Sequence, residues 1–208
     1  MTEAPVLTGT DGRPLAAKGQ RTRARLLEAA ERIFADLGYN DASIVKITEA
    51  AGVGQGTFYL YFPGKAEIFD ELVRDLNHRV RRAMTEAAAQ GGTRTESELL
   101  GFRAFFRFTA EHPGLYRIIR QAEFASPDTL QFHYDRIADG YVGALERAMD
   151  TGEIERRDPE ILAWALMGIG ELIGMRYILW AKRTDVSEHV LDEIERIISC
   201  LLEPPGNA

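Results

Sequence analysis

From residue 20 onward the apolar residues of this chain recur at intervals of three and four, a periodicity that leaves room for little besides helices packed on helices. Leu26, Leu27, Ala30, Ile33, Phe34 and Leu37 trace one stripe, Arg23, Arg25, Glu28, Glu31 and Arg32 lie largely off it, and Gly38 supplies a stop. Ser43 reads as the N-cap of a second helix in which Ile44, Ile47 and Ala51 share a face, and Gly52 ends it. After Lys65 a stripe through Ile68, Phe69, Leu72, Val73, Leu76, Val80 and Met84 runs to the Gly91-Gly92 break. Further helices are expected from Ser97 to Pro113, over GLYRIIRQAEFA, from Ser126-Pro127 through Met149, over 160–182 and over 186–202. One stretch resists this pattern. FYLYF, residues 58–62, is strand-like, since aromatics fit a pleated surface, but the sequence offers no second strand to satisfy its backbone groups. It must be a helix too, about two turns long from Gln55 to the Pro63-Gly64 break, and the fold class is all-α.

Phe58 and Phe62 fall at i, i+4 on one face of that short helix and are read as core, while Tyr59 and Tyr61 flank them and Thr57 and Leu60 point away. Charge sets the same region apart. The chain carries −7 overall, which argues against a nucleic-acid partner, yet residues 13–65 hold eight Lys/Arg against five Asp/Glu, and residues 66–208 hold 17 against 25. A helix, a tight Gly-containing turn and a short helix whose outer residues carry hydroxyls, inside the only basic part of the chain, form the pattern of a DNA-reading helix-turn-helix.

The segment ARLLEAAERIFADLGYNDASIVKITEAAGVGQGTFYLYFPGKAEIFDEL resembles the N-terminal domain of TetR-family transcriptional repressors over about fifty residues. One position departs from the family's pattern: Thr48, four residues before Gly52, stands where alanine is usual. The resemblance implies a three-helix DNA-binding domain, a C-terminal helical domain for ligand binding and dimerisation, and a homodimer on a near-palindromic double-stranded operator. The expected boundaries are a disordered arm at 1–19, the helix-turn-helix domain at 20–65, a connecting helix at 66–92 and the effector-binding and dimerisation domain at 93–208. By position, Gln55, Thr57, Tyr59 and Tyr61 match the family's recognition helix, Lys65 its phosphate-binding lysine, and Ser43 a phosphate contact at the second helix. Each has an alternative: Ser43 only caps, Gln55 reaches only solvent, Tyr59 packs on the first helix. Arg21, Arg23 and Arg25 are either a solvated face or phosphate contacts.

In the second half, polar residues that interrupt apolar stripes are candidates for an effector pocket, and Phe106, His133, Trp164 and Glu171 are expected to include at least one contact. A small hydrophobic effector suits such a pocket, an organic acid or acyl thioester among others. The apolar run 161–181 has the length of the ~20 residues a bilayer needs. Glu171 near its middle, Arg176 and three glycines make it a doubly buried helix and not a membrane span. The four histidines, 78, 112, 133 and 189, form no close ligand pair, and Cys200 is the only cysteine, so neither metal, cofactor nor catalytic group is expected. The N-terminus shows no basic-then-apolar leader, and a cytoplasmic location is expected. The rival from another class is a small-molecule-binding or carrier protein without operator-specific DNA binding.

Overall fold

The computed structural model describes residues 7–183 and 186–202, and among these it contains helices and turns with a single isolated β-bridge, Thr8 to Pro14. The chain forms two compact units. One is Met1–Asp75 with Arg117–Leu130, and the other Leu76–Tyr116 with Gln131–Ala208.

In the first unit, α1 (Ala17–Asp41) buries Leu26, Ala29, Ala30 and Phe34, the stripe expected from its periodicity. Gly38 takes φ 81, ψ 165, a conformation open chiefly to glycine, and it breaks the helix where the stop is predicted. Residues 39–42 leave unpaired carbonyls beyond this break, and the Lys65 ammonium donates to the oxygens of Tyr39 (2.8 Å) and Ala42 (3.1 Å) while lying 4.4 Å over the Tyr39 ring. The short helix α2 (Ile44–Ala51) starts at Ser43, whose side chain accepts from the Lys46 N–H, and ends at Gly52 with φ 64, ψ 42. Thr48, the departure from the family's alanine, is buried with its hydroxyl donating to the Val45 carbonyl at 2.9 Å, so it costs no unpaired polar group.

After the turn, α3 covers only Gln55–Phe58, and the expected second turn is a tighter continuation through Leu60 N–H to Thr57 O (3.3 Å) and Tyr61 N–H to Phe58 O (2.9 Å). Glycines at 54 and 56 and Pro63 beyond leave little helical propensity to sustain more. The long α4 (Lys65–Ala88) begins in this unit, where Ile68, Phe69, Leu72 and Val73 complete the core. Phe69 meets Phe34 edge-on at 5.1 Å and Tyr39 at 5.0 Å.

Two expectations about this unit need correction. Residues 7–16 are no disordered arm: they fold into a closed loop, with Leu15 N–H on Leu7 O (2.8 Å) and Gly9 N–H on Arg13 O (2.9 Å), and Ala17–Gly19 already belong to α1; residues 1–6 lie outside the described part. The unit also does not stop at 65. Helix α6 (Gly114–Ala125) contributes its residues from Arg117 on, with Gln121 accepting from Tyr39 N–H (2.6 Å) and donating to Phe34 O (3.3 Å), and Arg117 donating to Ala35 O (3.2 Å). Both side chains bind the backbone groups that the Gly38 break leaves open.

In the second unit, α5 (Arg94–Glu111) starts three residues before the expected Ser97. Thr93 and Glu96 make a reciprocal capping box there. Helix α7 (Pro127–Asp150) has Pro at its first position as predicted, and α8 (Pro159–Gly174) is capped by Asp158. A π-helical turn, Met175–Leu179, extends α8, and α9 (Glu188–Leu201) closes the unit. Phe102, Phe106, Leu145, Leu166, Ile194 and Ile198 lie in one core. Helix α8 with its π turn, Pro159–Leu179, is long and apolar enough to cross a bilayer by length and composition. It is not doubly buried as expected: Leu162, Ala163 and Leu166 face the core, but Ile161 (69%), Leu172 (62%) and, beyond it, Trp180 (62%) stay exposed.

Candidate nucleic-acid interface

Four of the six residues carried over from the resemblance lie in the segment from Gln55 to Tyr61, and burial divides this segment cleanly. Phe58 and Phe62 are sealed in the core (0% and 2% exposed), whereas Gln55 is exposed, Tyr59 is half-exposed and Thr57 and Tyr61 are partly covered. The two phenylalanines therefore fix the segment to the unit, and what it turns outward, besides the exposed Leu60 (60%), is an amide and hydroxyls. Those are groups that can bond base edges and phosphates.

The basic residues around this segment are mostly committed inside the protein. Arg23 pairs with Glu71 at 2.6 Å and stacks 5.1 Å from the Phe62 ring, and Arg25 donates to the Ala51 carbonyl at the C-terminal end of α2. Arg25 thus ties α1 to the end of α2 and Arg23 ties it to α4, and of the three ambiguous arginines Arg21 alone is exposed with no such contact among the described residues. Lys65 likewise faces the carbonyls of residues 39–42 and not outward, so its role in the free protein is to cap α1. Ser43 accepts the Lys46 N–H at 3.3 Å and acts as the cap. In a sequence a cation bound to a carbonyl and one bound to a phosphate look alike.

In the second unit the four effector candidates fall in different surroundings. Phe106 is buried in the core beside Phe102 and Phe105. His133 is buried as well, with Asn77 donating to its carbonyl (2.9 Å) and lying 3.2 Å from its Nδ1, and burial lowers its pKa to about 4. Glu171 accepts the Tyr134 hydroxyl on both oxygens (2.9 and 3.0 Å), and Trp164 lies 6.0 Å from the Tyr134 ring, so these two candidates are brought together through that tyrosine.

None of the four lines the groove of about 410 Å³ that this unit holds among α4, α5 and α7. Small residues, Ala88, Gly101, Gly140 and Ala144 among them, line it together with Arg81, Arg94 and Arg147. Glu98 lines it too, almost wholly buried and 2.9 Å from Arg94; burial raises its pKa to about 7 against the opposing pull of that arginine. Glu98 looks unremarkable in the sequence, where i, i+4 spacing to Arg94 reads as an ordinary surface pair.

Comparison with known proteins agrees with this geometry. The family profile "Bacterial regulatory proteins, tetR family" matches residues 26–72. The HTH-type transcriptional regulator YdgC of Bacillus subtilis, itself uncharacterized, is 31% identical over 196 residues, 92% of this chain and 97% of that protein. The fatty acid metabolism regulator protein of the same organism is 29% identical over 136 residues, 63% of this chain and 70% of that one. Among solved structures, the transcriptional regulator FadR from Bacillus subtilis in complex with stearoyl-CoA superposes with a TM-score of 0.71 at 22% identity, covering 86% of this chain and 96% of that chain. Such regulators bind DNA, are not an enzyme class and typically act as dimers. A relative alike over nearly the whole length, a matching profile and the helix-turn-helix geometry lead to one conclusion: this chain belongs to the tetR family of bacterial transcriptional regulators.

Proposed function

We propose that this regulator is a ligand-responsive repressor, a cytoplasmic homodimer that reads a near-palindromic operator and releases it when a small hydrophobic acid or acyl thioester binds. The observation that carries the DNA reading is the division of residues 55–62 into a buried phenylalanine pair and an outward set in which Gln55, Thr57, Tyr59 and Tyr61 stand beside an exposed Leu60. Gln55 reads a base edge, Thr57 meets a thymine methyl or a phosphate, and Tyr59 and Tyr61 donate to phosphates. Ser43 and the N–H groups at the start of α2 hold another phosphate. Lys65 serves the same surface from behind, by fixing residues 39–42, which precede Ser43.

The effector is placed not at Phe106, His133, Trp164 and Glu171 but in the α4–α5–α7 groove, where small residues and three arginines in the lining suit an anionic head on an apolar body. The stearoyl-CoA complex of the FadR relative supports that class of ligand. Dimerisation through α8 and α9 is supported by Ile161, Leu172, Trp180 and Ile197, large apolar side chains that a single chain leaves exposed. Helix α4 lines the groove with Arg81 and Met84 and begins at Lys65, so a ligand that shifts it acts on both units through one continuous element. Ligand must bind the two states with a difference of about 1–3 kcal/mol, roughly a 5–150-fold change in operator affinity.

Fluorescence anisotropy with duplex from the region upstream of the protein's own coding sequence, with and without palmitoyl thioester, tests this reading. Sequence-preferring binding that the thioester weakens is the expected result. Thioester binding by a protein with no preference for any duplex would overturn it in favour of a carrier.

A further inference from the structure

The loop of residues 7–16 has a specific hold on the DNA-reading segment. Helical pairing would give the Tyr59 carbonyl the N–H of residue 63, but residue 63 is proline and has none. Thr10 supplies the missing donor: its hydroxyl donates to Tyr59 O at 2.9 Å and its N–H to Leu60 O at 3.0 Å. Gly9 allows this approach, since a Cβ there would lie 3.0 Å from Leu60 O. The loop is closed on itself by the Thr8–Pro14 bridge and turns at Asp11-Gly12, where Gly12 takes φ 75 and Asp11 Oδ1 accepts the Arg13 N–H at 3.0 Å. A short rigid loop is thus tied to the C-terminal end of the recognition segment. At its tip the Arg13 side chain is 86% exposed, held only by a 3.7 Å contact with an Asp11 that is itself 61% exposed. Lys18 and Arg21, both exposed, follow on the first turns of α1.

We propose that this loop is a second DNA-contacting element, in which Thr10 positions the loop on the recognition segment and Arg13 binds a phosphate of the duplex backbone beside the groove that segment enters. An exposed guanidinium on a loop that is hydrogen-bonded to the reader travels with it, so the phosphate contact is made in register with base reading and costs little ordering on binding. A phosphate contact carries no sequence information and leaves its mark in salt dependence. The inference rests on the DNA-binding reading above, and the two fail differently: a wild-type protein that binds no duplex sinks the first reading, whereas normal binding with an inert Arg13 sinks only this one.

The test uses the full chain and a duplex that the wild-type protein selects from a random pool, with affinity measured across salt concentrations. Each phosphate contact is worth about 0.9 in the slope of log K against log salt, so Arg13→Ala in both protomers of a dimer lowers the slope by about 1.8. Between about 50 and about 200 mM salt the wild type then loses roughly twelvefold more affinity than the variant. Arg13→Lys, which keeps the charge, restores the slope. Thr10→Val, which removes the hydroxyl bond to Tyr59 O but keeps the Thr10 N–H on Leu60 O, loosens the loop and lowers the slope by part of the Arg13→Ala effect, and the double variant loses no more than Arg13→Ala alone. An unchanged slope for Arg13→Ala overturns the proposal, and so does a loss confined to particular flanking sequences, which would mean base reading. Arg13 is exposed and makes no packing contact that folding requires, so its result stands even if Thr10→Val unfolds.

Discussion

Two buried groups of the C-terminal unit have pKa values displaced in opposite directions, and together they hide a pH dependence that single substitutions should reveal. Glu98 rises from 4.5 to about 7 and His133 falls from 6.5 to about 4, both because burial penalises the charged form. At about 1.4 kcal/mol per pH unit, each displacement amounts to roughly 3 kcal/mol. Between pH 4.5 and 6.5 folded Glu98 keeps a proton that the unfolded carboxyl has released, so raising the pH lowers stability; the contribution is complete below 4.5 and gone above about 7. Over the same range folded His133 lacks a proton that the unfolded imidazole holds, so raising the pH adds stability, which is lost as pH falls towards 4. The two slopes offset, and the wild-type unit should be nearly flat across this range as far as these groups decide it. Glu98→Gln leaves the histidine slope alone, and stability should climb by about 3 kcal/mol from pH 4.5 to 6.5. His133→Asn, which keeps an acceptor for Asn77, should show a fall of similar size, roughly 3 kcal/mol. Loss of the Arg94 partner or of ring volume displaces each curve without tilting it. Urea unfolding at fixed protein concentration reads the effect, because both tryptophans, Trp164 and Trp180, lie in this unit and report on it alone. Two variants as flat as the wild type, or tilted the same way, would refute the reasoning.

Other substitutions separate the remaining assignments. Gly52→Ala puts a Cβ on a residue at φ 64, and it should cost about 1–2 kcal/mol in thermal unfolding of the N-terminal unit. Lys65→Ala removes an ammonium from two close carbonyls and should destabilise that unit by about 1.5–3 kcal/mol; a loss of operator affinity with no change in stability would return Lys65 to an outward phosphate role. Leu172→Arg charges the exposed face of α8, and sedimentation should show monomers with unchanged helicity by circular dichroism.

The parts of this fold that the sequence made legible are those governed by local rules. Gly38 and Gly52 end helices because their backbone angles suit no other residue as well, and both stops can be read directly. The separation of Phe58 and Phe62 from Tyr59 follows from helical spacing alone. The Thr93–Glu96 capping box was equally legible as a T-x-x-E pattern, but Ser97 is a plausible cap one turn further on and draws the reading away. What stayed hidden depends on long-range partners. Gln121 meets Tyr39 across 82 residues, and no periodicity of either helix announces it. Arg25 carries a charge suited to a phosphate and spends it on the Ala51 carbonyl. Helix α8 is apolar on all sides, so it has no amphipathic direction from which its exposed face could be read.

The contribution of α6 to the first unit makes that unit discontinuous in the chain, with its last structural piece at Arg117–Leu130. On the ribosome the first seventy-five residues emerge with the backbone around Gly38 still waiting for Gln121 and Arg117. At about 5–20 residues per second the wait lasts seconds. The DNA-reading unit therefore cannot finish before the chain has passed through α5 and into α6, and a fragment cut at residue 75 lacks the helix that seals the break. Exchange of reader domains between relatives would have to carry this piece of the second half along.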